Sequence, residues 1–200
     1  MRRTTEDRGT LAFLAFSLLL AFSVELYFIL HFRDINHQSN AVASLFQVYG
    51  AGDRAYYGQG DVYFPFALET LNVFVTQVFN VLLAAAVLRD KPYRYPLQLG
   101  VCSYVAYSVV LYFWRAAVDG FANMPEHDAW GFFIFFAPNL PWLAGNALLV
   151  VSAGRAVTAR FRENGGSAQE RTPGATAVTA QGRRPIGDRA AAAECPPSDR

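Results

Sequence analysis

The sequence predicts an all-α membrane protein: a four-transmembrane-helix bundle with a disordered cytoplasmic C-terminal tail. Three observations lead there. The 200-residue chain is 53% hydrophobic and 15% aromatic, yet only 16% charged, against roughly 25% in ordinary soluble domains. Its charge is segregated, with long runs carrying almost none and the stretch after Ala156 carrying much of it, the pattern of a polytopic protein with a polar tail. Four segments reach the about 20 apolar residues needed to cross a bilayer. The net charge of +1 and the lack of a basic-aromatic stripe give no footprint for nucleic acid. No zinc spacing, phosphate-cradling glycine loop or nucleophile elbow is legible.

The spans are predicted over residues 10–32, 63–88, 96–117 and 130–156, with residues 1–9 as a cytoplasmic N-terminus and 157–200 as the tail. The first span follows a basic stretch, MRRTTEDRG, but its apolar run outlasts that of a secretory signal and no A-x-A site follows, so it reads as an uncleaved helix. Pro65 and Pro96 open the second and third spans, where a missing N–H does no harm. Residues 33–61 alternate aromatics with glycines and predict a partly ordered cap at the interface, where tyrosine is favoured. The tail is rich in Ala, Gly, Pro, Arg and Ser and has no apolar periodicity, which predicts disorder. Cys102 falls in a span and Cys195 in the tail, so they are not paired. His31, His37 and His127 fall at helix ends or in connections and read as interfacial.

Orientation follows from Lys and Arg near the span ends. Arg2, Arg3 and Arg8 precede the first span, Arg89, Lys91 and Arg94 fill the short second connection, and Arg155, Arg160 and Arg162 follow the fourth. Both termini are therefore expected in the cytoplasm. The membrane is the endoplasmic reticulum if the protein is eukaryotic and the inner membrane if it is bacterial.

Two carboxylates lie inside the spans, Glu25 and Glu69. A carboxylate in hydrocarbon is costly, which makes each a functional-site hypothesis. Glu25 is near the outer end of a rising helix and Glu69 near the start of a descending one. At 1.5 Å per residue both fall about 10 Å inside the same surface. Asn72, Thr76 and Asn80 follow Glu69 at offsets that predict one inward face. The third span offers Tyr104, Tyr107, Ser108 and Tyr112, with Arg115 at its outer end as a carboxylate partner or a rim charge. In the fourth, Pro138 and Pro141 break the backbone ladder, which at membrane depth is tolerated only inside protein or along a cavity. Asn139, Trp142 and Asn146 share a face there. Interhelical glue, typically about 0.6 kcal/mol per hydrogen bond, is the competing role for the amides and hydroxyls.

Together these residues resemble the EXPERA family, the four-helix membrane domain of the emopamil-binding protein (sterol Δ8–Δ7 isomerase) and the sigma-two receptor. The carriers are VELYFILHF, VYGAGDRAYYGQGD, ALETLN, VVLYFWRAAVDGF and FAPNLPWL, spread over residues 16–153. The resemblance implies a four-helix bundle with a ligand cavity open sideways to lipid, often dimeric, so a homodimer is an expectation. It matches Glu25 and Glu69 to the two family acids, and Asn139 and Trp142 to the amide and indole of the isomerase's fourth helix. One departure concerns Ala21, which stands where the isomerase has a histidine.

The expected site therefore has Glu25 and Glu69 as catalytic acids and Asn139, Trp142, Tyr107, Tyr112, Asn72 and Thr76 as substrate-binding residues. Expected ligands are a sterol or polycyclic terpenoid, cationic amphiphiles and membrane lipid. No cofactor, metal or nucleic acid is implied. Moving a ring double bond without a redox cofactor needs one proton delivered and another removed, through a cation. Two acids sharing one proton can supply both steps, and Trp142 can face the cation, worth about 0.5–2 kcal/mol. The alternative is a non-catalytic binder of sterols or cationic amphiphiles, in which a ligand ammonium supplies the missing countercharge. A proton-coupled transporter fits less well, because the cytoplasmic halves of the spans carry no acid.

Overall fold

A computed structural model describes the backbone of residues 4–170 and side chains to residue 163. The chain divides into two units, Met1–Phe161 and Arg162–Arg200. Everything below except the end of the last helix belongs to the first.

Four helices are long and apolar enough to cross a membrane: α1 (Thr5–His31), α3 (Tyr63–Leu88), α4 (Arg94–Val118) and a broken fourth over Ala129–Glu163. A short α2 (Ala41–Tyr49) sits between the first two. The broken span consists of α5 (Ala129–Phe136) and α6 (Leu140–Glu170). The helix thus runs on past residue 156, and beyond residue 170 the tail expected to be disordered lies outside the described residues.

The ends are set by local chemistry. Thr4 caps α1 in a reciprocal box: its hydroxyl accepts from the Asp7 amide at 3.1 Å, and the Asp7 carboxylate accepts from the Thr4 amide at 3.4 Å, satisfying two donors the first turn leaves free. Asn40 caps α2 through the amides of Val42 and Ala43. Asp128 caps α5 through the Gly131 amide at 2.7 Å. Pro138 then stops α5, since proline has no amide to donate. The Asn139 amide turns to the Phe136 carbonyl at 3.0 Å instead of reaching Phe135. The Asn139 side chain fills that gap, donating to the Phe135 carbonyl at 2.8 Å.

Both α1 and α3 carry one π-helical turn, Ala21–Glu25 and Asn72–Thr76. The two turns pack against each other. Toward the cap from them lies an aromatic core built on Phe28, Phe46, Tyr56, Tyr112 and Phe135. In the other direction, Ser17 of α1 bonds Gln77 and Asn80 of α3 at 3.2–3.4 Å. This is the interhelical glue weighed for Asn80. At the α1 N-terminus Arg94 bridges Asp7 at 3.2 Å and Asp90 at 3.1 Å.

The cap is more than an interfacial lid. Asp53 caps a 3-10 turn, Arg54–Tyr57, through the Ala55 amide, and Gly58 closes it at φ 74°. Gly52 lets this segment lie directly on α5: a Cβ there would stand 2.6 Å from the Phe135 nitrogen. Phe46 and Tyr56 thereby become core residues.

Candidate functional site

Glu25 ends the π turn of α1, and Glu69 lies just before the π turn of α3. Such turns gather at functional sites. Each acid has one neutral donor. The Asn72 amide donates to Glu25 Oε2 at 2.6 Å, and the Tyr56 hydroxyl donates to Glu69 Oε1 at 2.7 Å. No cation pairs with either acid among the described residues. Arg115, a candidate partner on sequence, pairs instead with Asp119 at 2.7 Å and Asp61 at 3.3 Å.

Two hollows meet at the acids, and Glu25, Tyr56, Glu69, Asn139 and Trp142 line both. The smaller, about 80 Å³, also takes in Asn72, Ser108 and Tyr112. The larger, about 380 Å³, is walled by apolar side chains including Leu20, Val24, Phe28 and Phe46. That volume lies within the range of ligand pockets, roughly 300–1,000 Å³. Leu45 and Val48 stand on its rim and are more than half exposed. The site is therefore an apolar chamber with a smaller, polar annex, and the carboxyls stand at the junction.

Most of the expected side chains converge here. Trp142 stacks on Phe16 at 5.6 Å and meets Phe13 edge-on at 5.9 Å, which ties the fourth span to the first. Asn139 donates to the Tyr49 hydroxyl at 2.7 Å. Tyr112 lines the annex and donates to Asp53 Oδ2 at 2.6 Å.

Two expected residues do not converge. Thr76 is buried, yet it lines a separate groove between α3 and α4 with Phe79, Leu97 and Tyr104. The cause is the π turn. Its extra residue per turn rotates everything beyond Asn72 by roughly 100° relative to a regular helix. The Thr76 hydroxyl accordingly bonds the Leu71 carbonyl, five residues back, at 3.4 Å. Tyr107 is 62% exposed. The stripe of α4 on the annex is Val105, Ser108, Val109 and Tyr112, at helical spacing, and Tyr107 falls off it.

Three residues that line or adjoin the candidate site escape the sequence reading: Tyr49, Tyr56 and, through its bond with Tyr112, Asp53, all in the cap. Burial pushes the hydroxyls of Tyr49 and Tyr56 above the ordinary tyrosine range, so both serve as O–H groups and not phenolates. The available signal was the run of tyrosines and acids between glycines. It read as interfacial because nothing local says that the loop folds inward.

Ala21, which the resemblance set against a histidine, is fully buried and lines neither hollow. Ala21→His is therefore expected to overpack the α1–α3 contact and lower stability by about 1–3 kcal/mol. Thermal unfolding in detergent reads this. A variant as stable as the parent would mean that the side chain finds room in the chamber.

Most of the residues that build this junction fall within a recognised pattern. A 3-beta-hydroxysteroid-Delta(8),Delta(7)-isomerase of Cavia porcellus is 28% identical to this chain over 121 residues, which are 60% of this chain and 52% of the relative. The chain thus spans about half the length of that curated relative. The family description EXPERA (EXPanded EBP superfamily) matches residues 41–153, taking in the cap, Glu69, Tyr112, Asn139 and Trp142 but not Glu25. With more than half its length matched, the chain belongs to the EXPERA family.

Proposed function

We propose that this protein binds a sterol or related polycyclic terpenoid in the apolar chamber and shifts a ring double bond by adding and removing protons. The observation that carries it is the pair of part-buried acids at the junction of the hollows, each held by a neutral hydrogen-bond donor and neither offset by a cation among the described residues. Carboxyls in one small hollow do not both ionise readily, so the pair keeps a proton to give. The neutral acid protonates one alkene carbon, leaving a cation on its neighbour. The carboxylate then removes a proton from the adjacent carbon and forms the new double bond. No electron is gained or lost. We assign proton handling nearest the ring to Glu69, with Glu25 as its partner. Trp142 faces the cationic stage, and Asn139 orients the acid or a substrate hydroxyl.

Incubating the purified protein with a Δ8-sterol in deuterated water tests this. The expected product has a shifted double bond and one deuterium from solvent. Recovery of unaltered sterol under conditions where it binds would remove the isomerase reading. A second reading, a non-catalytic binder of cationic amphiphiles, is favoured by the same uncompensated acids, since a ligand ammonium supplies the absent countercharge. Tight amine binding without turnover selects it. The distribution of Lys and Arg at the span ends supports cytoplasmic termini in either reading.

A further inference from the structure

A further buried carboxyl stands apart from the acid pair and lines neither of its hollows. Asp53 is 4% exposed and has no ion-pair partner among the described residues. Its Oδ1 accepts from the Ala55 amide at 2.9 Å and its Oδ2 from the Tyr112 hydroxyl at 2.6 Å. Asn123 also faces it, and burial pushes its carboxyl above the ordinary aspartate range. Tyr112 is a wall shared by two spaces. On one side lies the annex that holds Glu25 and Glu69. On the other lies a hollow of about 30 Å³ bounded by Asp53, Asp61, Arg115, Asp119 and Asn123. That is room for one or two waters in a polar setting. Asp61, Arg115 and Asp119 are each more than a third exposed, so the outer hollow reaches solvent at the cap. Tyr49, which takes a hydrogen bond from Asn139, also interacts with Tyr112.

We propose that Asp53 and Tyr112 form a proton relay connecting the acid pair to water at the cap. The route rests on the reading that the pair handles protons. One double-bond shift moves the pair's single proton from one acid to the other, so the proton count of the pair is unchanged, and the relay serves the exchange of that proton with water that places solvent hydrogen in the product. In the outward direction Tyr112 takes a proton on its oxygen from the annex as its own O–H proton passes to Asp53 Oδ2. At the Tyr112 oxygen one O–H bond forms and one breaks, so Tyr112 ends neutral, while Asp53 gains the O–H bond that the donor in the annex loses. Asp53 then releases the proton to the outer hollow, where Asp61, Asp119 and Arg115 meet water. The inward direction is the reverse. Asp53 touches no ligand in this scheme and acts through Tyr112 as a positioning and relay residue.

Asp53→Asn discriminates relay from architecture. An asparagine oxygen still caps the turn through the Ala55 amide, and its NH2 still meets the Tyr112 oxygen, but it carries no exchangeable acid proton. The readout is infrared spectroscopy of the full chain in detergent. A protonated-carboxyl band is assigned by its loss in Glu25→Gln and Glu69→Gln, and its exchange is timed after transfer into deuterated water. Asp53→Asn is expected to slow that exchange by roughly a hundredfold or more, with unfolding temperature and binding of a cationic amphiphile unchanged. Tyr112→Phe, which alters the annex wall itself and is therefore read for exchange alone, is expected to slow exchange likewise and carries the test if the first variant fails to fold. Unchanged exchange in both variants overturns the relay. So does loss of amine binding in step with exchange, which would make Asp53 a cap residue only, and so does the absence of any protonated band in the parent. Slowed exchange in a chain that never shifts a double bond would sink the isomerase reading and keep the relay. Normal exchange in Asp53→Asn beside an active parent does the opposite.

Discussion

Glu69→Gln is expected to reduce double-bond isomerisation by about two to four orders of magnitude, the range a positioned general acid or base contributes. The substitution preserves shape, and the amide oxygen still accepts from the Tyr56 hydroxyl that now donates at 2.7 Å. What is lost is the ability to give or hold a proton beside the chamber. The structural cost is correspondingly small, because removing a carboxyl that has no cation partner leaves no orphaned countercharge. The informative measurement pairs turnover of a Δ8-sterol with binding of the same sterol. Turnover should collapse and sterol affinity should stay near that of the parent. Retention of full turnover would remove Glu69 from the chemistry. Loss of binding in proportion would make it a ligand anchor, as in the amphiphile-binding reading.

Gly52→Ala should have the largest effect on stability, although Gly52 touches neither acid. Its Cβ would fall 2.6 Å from the Phe135 nitrogen and 2.9 Å from the Ile134 carbonyl carbon. Both are backbone atoms of a packed helix, so no side chain can swing aside. Either the cap lifts off α5 or α5 shifts, at a cost at or above the upper end of the about 1–3 kcal/mol usual for overpacking. Unfolding of detergent-solubilised protein reads the loss. The cap also carries Tyr49, Asp53 and Tyr56, so ligand affinity should fall with stability. A variant with parental stability and affinity would show that the cap does not need this contact.

The site was partly legible in the sequence. Glu25, Glu69, Asn72, Asn139, Trp142 and Tyr112 stand out because polar groups are conspicuous in hydrocarbon, and the structure lines one junction with all of them. Thr76 and Tyr107 fall outside the junction for different reasons. Face arguments assume a constant helical period, and a single π turn in α3 breaks it. For Tyr107 the period held, but the stripe was drawn one position off, and only the packing of α4 shows which stripe faces in. Tyr56 and Tyr49 were missed because they enter from the connection, where period carries no information.

The sequence by itself determined the four crossings, the break at Pro138 and the presence of two acids near one level. Each follows from a local rule: a chain in lipid must satisfy its backbone within the segment, and a charge there must face inward. The tertiary structure alone decided what surrounds those acids. The cap folds inward because Gly52 allows it against α5, and the π turns choose which side chains follow Glu25 and Glu69 into the hollow. These are contacts between residues far apart in the chain, and no local pattern encodes them.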